Sequence, residues 1–218
     1  SDENAHPHRH RGVAVVHNGI IENHLDLKSA LVARGHRLSS ETDTEIFAHL
    51  IAAALEGKAK GDLPQAVREA LKQVRGTYAI AVACESAPGV VVAAKNASPL
   101  VVGYGDGENF LASDVPAILE HTRQVNYLEE GELAVLTPGG IAIEDRAGRP
   151  VTRPARRIEW SAVAAEKDGH KHFMHKEIFE QPQVVADTLR GRVSLERGDV
   201  DRVLGILEQA GKKLGVIA

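Results

Sequence analysis

Between residues 78 and 143 seven short apolar runs follow one another, at 78–84, 90–94, 100–103, 109–112, 124–128, 132–136 and 141–143. Gly, Pro, Asp or Asn separates them, and runs so short and so punctuated predict strands of antiparallel sheet, some joined by hairpins. Pro138-Gly139-Gly140 is the clearest turn. Three helical patterns come first. Residues 23–34 carry Leu27 and Leu31 one turn apart and end at Gly35, a suitable C-cap. Residues 44–55 put Ile46, Phe47, Leu50, Ile51 and Leu55 on one face, and 62–74 repeat the pattern with Val67, Ala70, Leu71 and Val74. Thr42 followed by Glu45 has the form of a capping box at the start of the second helix. Helices ahead of a strand-rich middle give an α+β arrangement.

Composition narrows the function classes. The 218 residues are 43% apolar and 26% charged, enough to bury a substantial core and unlike a disordered chain. A net charge of −4 supplies no general attraction to nucleic acid or to an anionic membrane. The longest apolar runs are far too short to span a bilayer, and no basic segment leads into an apolar one as in a signal peptide. The single cysteine, Cys84, excludes an internal disulfide framework and fits a reducing compartment, so a cytoplasmic location is expected. The only methionine is Met174, and the last residues, 215–218, are apolar. Both ends therefore read as cut from a longer protein.

The chemistry-bearing residues gather early. Residues 13–16 are β-branched and predict a buried strand that stops at Asn18-Gly19, a strong two-residue turn signal. That pair reads either as a plain hairpin tip or as an oxyanion hole, the Asn18 carboxamide and the Gly19 N–H converging on one carbonyl oxygen. Asp43 reads either as a favourable charge at a helix N-terminus or, with Thr42 serving as the cap, as a carboxylate left to bind a ligand. His6, His8 and His10 alternate along an extended segment, with His17 further on. No Cys accompanies them and no carboxylate stands at a ligand spacing, so no metal is expected there, and His17 is expected to orient the turn. Cys84 ends an apolar alternation with no basic neighbour to lower its pKa, which makes it a core or strand-end thiol. Arg153, Arg156 and Arg157 read as a solvated edge.

Several motifs occur in one order: Asn4-Ala-His-Pro-His8, Val13 to Gly19, Ile20-Ile-Glu-Asn-His24, Ser40-Glu-Thr-Asp-Thr-Glu45, Ser98-Pro-Leu, Gly107-Glu-Asn-Phe-Leu-Ala-Ser-Asp114 and Met174-His-Lys-Glu-Ile-Phe-Glu-Gln-Pro182. Together they resemble the glutaminase domain of the glutamine–fructose-6-phosphate aminotransferases, the glucosamine-6-phosphate synthases, over most of the chain. The resemblance implies a truncated four-layer αββα N-terminal-nucleophile-hydrolase (class II glutamine amidotransferase) domain at 1–165. Residues 166–218 would be a linker and the first helices of a sugar-isomerase (SIS) domain.

It also implies the chemistry. Asn18 and Gly19 would form the oxyanion hole, Asp43 would hold the α-ammonium of glutamine, and His6 would lie near the pocket. No cofactor or metal is implied. The intact enzyme, expected as a homodimer, would release ammonia from glutamine through a cysteine thioester and pass it to fructose 6-phosphate. The family's N-terminal nucleophilic cysteine and its Arg-Trp-Ala-Thr-His-Gly segment do not occur in this sequence. Ser1 reads as a truncation edge, and the chain by itself is expected to be inactive. The alternatives are another class II amidotransferase, of the phosphoribosylpyrophosphate amidotransferase or asparagine synthetase type, and a non-catalytic amino-acid-binding module of the same fold. The segment after Lys171 favours the first reading.

Overall fold

The computed structural model describes residues 2–159, together with 174–175, 177–179 and 181. The chain divides into two compact units, Ser1–Ala162 and Val163–Ala218. In the second, the described residues are helical, and the rings of His175 and Phe179 lie 4.9 Å apart. The rest of the helix expected at 173–189, the helix expected around Val200 to Leu207 and the strand expected at 216–218 lie outside the described residues.

After a 3-10 turn at Asp2–Asn4, the first unit forms a hairpin. β1 (His8–His10) pairs with β2 (Val13–Ile21), with His10 opposite Val13. Its two-residue tip is Arg11-Gly12, at φ 47° and 77°, the positive values that a type I′ turn demands. The turn is therefore not at Asn18-Gly19, which the sequence reading made a strand end. β2 runs on to Ile21 because its alternation persists: Val13, Val15, His17 and Ile21 are buried on one face.

Three helices follow, α1 (His24–Ala33), α2 (Thr44–Glu56) and α3 (Leu63–Leu71). α1 stops where Gly35 N–H bonds Val32 C=O at 2.9 Å and His36 N–H bonds Leu31 C=O at 3.1 Å. This is a Schellman closure, and it fixes His36 just past the helix end. The expected strands then appear as β3 (Gly76–Cys84), β4 (Val91–Asn96), β5 (Val101–Tyr104), β6 (Asn109–Ala112), β7 (Gln124–Tyr127), β8 (Leu133–Thr137) and β9 (Gly140–Glu144). Two strands of two residues, β10 (Pro150–Val151) and β11 (Arg156–Arg157), were not visible in the sequence pattern.

All ladders are antiparallel. One sheet runs β1-β2-β3-β4-β8-β9-β10 and the other β11-β7-β5-β6. Side-chain parity builds the layers. Ile80, Val82, Val92 and Leu133 point to the helix side, where they bury Phe47, Ile51, Leu63 and Val67. The intervening Ala79, Ala93 and Ala134 face Val102 of the second sheet and Leu100 and Leu128 at its strand ends. The outer face of that sheet, with Val101 and Val125, is covered by Val115, Ile118 and Leu119 around a short 3-10 turn. The order is helices, sheet, sheet, then this irregular cover, which agrees with the expected α+β class.

One expected detail changes. Glu45 does not close a capping box with Thr42: its carboxylate accepts the Ser39 N–H at 2.8 Å, the Ser40 N–H at 2.7 Å and both serine hydroxyls, at 2.9 and 2.7 Å. The preceding loop offers donors at closer range than the helix N-terminus does. Thr42 instead pairs its hydroxyl with His8 Nε2 at 2.9 Å. Burial pushes the Glu45 carboxyl up, but the Ser39 and Ser40 donors outweigh it and hold it at about 2.

Because the folded value lies below the ordinary 4.5, the stabilisation is present above that pH and disappears as pH falls toward 2. Glu45→Gln should lose roughly 2–4 kcal/mol in urea denaturation at pH 7. At pH 3 its gap from the parent should shrink by at least about half. An equal gap at both pH values would contradict the account.

Candidate functional site

The corner where β2 and β3 end is built on close backbone approach. Gly19 pairs with Tyr78 and has φ 147°; a Cβ there would lie 2.1 Å from the Thr77 carbonyl oxygen. Gly76 answers it, at φ 135°, with a would-be Cβ 2.1 Å from the Ile20 carbonyl oxygen. No side chain fits at either position. Asn18, next to Gly19, points to the face opposite the helices and is exposed, as are Val16 and Ile20. Its carboxamide has no hydrogen-bond partner among the described residues.

Asp43 is brought to the same corner by the first turn of α2. It is the N-cap residue by position but makes no side-chain cap bond. Its Oδ2 accepts the Ile21 N–H at 2.7 Å, tying the carboxylate to the strand two residues beyond Gly19. Oδ1 lies 3.8 Å from His17 Nδ1. Burial lowers the His17 pKa, and the nearby Asp43 charge only partly restores it. His17 is thus neutral at pH 7 and leaves the Asp43 charge uncompensated. No Lys or Arg among the described residues forms an ion pair with it.

Thr44 was not singled out from the sequence. Its Oγ1 hydrogen-bonds both His6 Nε2 at 3.2 Å and His17 Nδ1 at 3.0 Å. One hydroxyl can donate only once, so one imidazole accepts its proton while the other donates to its oxygen. This linkage seats exposed His6 beside the Asp43 corner. The Gly19–Ile21 end of β2, Asp43 and His6 are therefore gathered from β2, the start of α2 and the segment ahead of β1, whereas the Asn18 side chain leaves the strand on its other face. A signal for Thr44 did exist, since it follows Asp43 at the head of an apolar helix.

Cys84 is elsewhere. It pairs with Val13, six residues up β2 from Gly19, or about 20 Å along an extended strand. It is buried, with Sγ 3.1 Å from Ser86 Oγ. A cavity of about 660 Å³ lies at that far end, walled by Arg9, Val13, Cys84 and Leu136, and none of the four candidate residues lines it. Arg153 is not simply solvated: it bridges Glu129 at 2.8 Å and also contacts Glu132, while Arg156 and Arg157 are exposed. No helix among the described residues is long and apolar enough to cross a membrane. Chemically, the corner offers a carboxylate with no Lys or Arg partner among the described residues beside a fixed strand-end backbone, with an exposed amide on the strand's other face. Such a set suits a small ligand that carries both a cation and a carbonyl.

Residues 1–120 match the glutamine amidotransferase domain family. The chain is 52% identical over 220 residues to the glutamine–fructose-6-phosphate aminotransferase (isomerizing) of Thermus thermophilus, covering 100% of this chain and 36% of that protein. It is 50% identical over 200 residues to the protein of the same name from Symbiobacterium thermophilum, covering 91% and 32%. The chain thus spans about a third of the length of these curated relatives. Among solved structures it is similar to the glutamine phosphoribosylpyrophosphate amidotransferase of B. subtilis complexed with ADP and GMP. That likeness has 26% identity and a TM-score of 0.55, and covers 66% of this chain and 32% of the other.

The glycine crossing makes a sharp prediction. Gly19→Ala should destabilise the chain by at least about 3 kcal/mol, because backbone rather than a movable side chain blocks the new methyl. Chemical denaturation checks it, and a loss under about 1 kcal/mol would show that the two strands can separate here.

Proposed function

The chain belongs to the glutamine amidotransferase family, and from that premise we propose that it is the glutamine-binding part of an isomerising glutamine–fructose-6-phosphate aminotransferase. The relatives at about 50% identity that bear this name support the assignment over the phosphoribosylpyrophosphate amidotransferase type, where the likeness is 26%. In this reading the complete enzyme takes the amide nitrogen of glutamine as ammonia through a cysteine thioester. Fructose 6-phosphate accepts the nitrogen and leaves as glucosamine 6-phosphate. We read the enzyme as a cytoplasmic homodimer, with residues 1–165 as the glutaminase domain and 166–218 as the linker and entry to the sugar-isomerase domain.

The residues take distinct roles. Asn18 and Gly19 stabilise the tetrahedral oxyanion with donors that are in place before reaction. Asp43 accepts the glutamine α-ammonium, and the observation that carries the proposal is its uncompensated carboxylate, anchored by the Ile21 N–H beside the oxyanion pair. An amino acid is thereby preferred to a simple amide. His6 closes the side of the pocket and is held there by Thr44. The nucleophile is not Cys84, which is buried about 20 Å away along the strand. The chain alone should accordingly bind glutamine without hydrolysing it.

The test compares glutamine with glutaramic acid, its analogue lacking the α-amino group, in the full-length enzyme. The parent should prefer glutamine by about 100-fold in affinity, and Asp43→Asn should erase most of that preference. Asn keeps an acceptor for the Ile21 N–H, so the fold is spared. An unchanged preference in the variant would remove Asp43 from the site.

A further inference from the structure

A second cluster lies at the other end of β2 and has no part in the glutamine site. His10 at the end of β1, His36 after the closure of α1 and His49 in the middle of α2 each bring one ring nitrogen within 4.8 Å of the others. His36 Nδ1 and His49 Nδ1 are 2.9 Å apart. The His10 ring stacks on that of His49 at 3.7 Å between centroids, and His10 Nε2 is buried without a hydrogen-bond partner. We propose that His10, His36 and His49 form a binding site for a divalent transition metal of the zinc class.

Three features carry the proposal. Imidazole nitrogen is the donor that zinc, nickel and copper(II) share, and the set holds no oxygen ligand that would suit calcium or magnesium. The separation of the His36 and His49 nitrogens is close to the roughly 3.3 Å that two nitrogens at tetrahedral zinc distances span. His49 turns its other nitrogen, Nε2, toward Glu45 Oε1 at 3.6 Å. A carboxylate behind a ligating histidine orients the ring and raises its basicity, and this carboxylate is itself fixed by Ser39 and Ser40. On binding, the ion would replace the His36–His49 hydrogen bond, and the His10 ring would leave its stack on His49.

The site would act as a clasp. It joins three separate elements, the edge strand β1, the end of α1 and the middle of α2. Its distance from Gly19 is about that of Val13, which pairs with His10: some 20 Å along β2. Metal there holds the fold and does not meet substrate.

Zinc chloride and cobalt(II) chloride are the probes, applied to the untagged full-length protein. One saturable ion per chain is expected, with visible cobalt bands of a low-symmetry, four- or five-coordinate nitrogen site. Zinc at 100 times its Kd should raise Tm by roughly 5 °C or more. His36→Gln and His10→Gln, both at half-buried positions that tolerate change better than His49, should each weaken zinc binding at least about tenfold and abolish the Tm rise. No saturable binding, or binding that survives both substitutions, would overturn the proposal. Glutamine affinity, read in parallel, reports separately on the other site.

Discussion

The crossing of two backbones at Gly19 and Gly76 is the constraint on which the site corner depends. Each glycine occupies a positive-φ conformation and lies where a Cβ would overlap the opposite strand's carbonyl. The two strands can therefore continue side by side to their ends, Ile21 opposite Gly76, instead of splaying after His17. That extension places the Ile21 N–H within reach of Asp43, and so sets a charged side chain of one element against the backbone of another. Without it, the carboxylate would be an ordinary helix-terminal charge.

Around this corner the polar groups are arranged in two connected sets. One runs His6, Thr44, His17 and approaches Asp43; the other runs His8, Thr42, Ser40, Glu45. Both use the loop and first turn of α2 as their common support. The apolar face of that helix, with Phe47 and Ile51 fully buried, anchors the support to the sheet. Packing on one side of α2 thus fixes the polar geometry at its start, and a loosened core would be felt as a loosened site.

How much of this could be read from the sequence follows from the range of the forces involved. The helices and strands β3 to β9 were legible because their periodicity is local. The Asn18-Gly19 pair misled because a turn-forming dipeptide also serves a close strand crossing, and nothing local distinguishes the two uses. The true turn at Arg11-Gly12 was overlooked since Arg is an uncommon residue at positive φ. The capping box between Thr42 and Glu45 failed because Ser39 and Ser40 competed successfully for the same carboxylate. That Asp43 makes no cap bond was readable once Thr42 was taken as the cap, although Thr42 turned out to serve His8. The histidine cluster was invisible in a different way: His10, His36 and His49 show no ligand spacing, and only the Schellman closure of α1 brings His36 to the others.

The chain order of these elements also bears on how the unit assembles. Everything that shapes the Asp43 corner on the β2 and α2 side, from His6 through α2, lies within one continuous stretch, and its hairpin closes over two residues. The first sheet is different, since β4 must find β8, with Ala94 beside Leu133, across the intervening second-sheet strands. Closing that long loop costs more chain entropy than closing the hairpin, and contacts of such high sequence separation are the slow ones to form. The β2 and α2 half of the corner is in this sense kinetically local, while the sheet that stiffens it is completed from a distance.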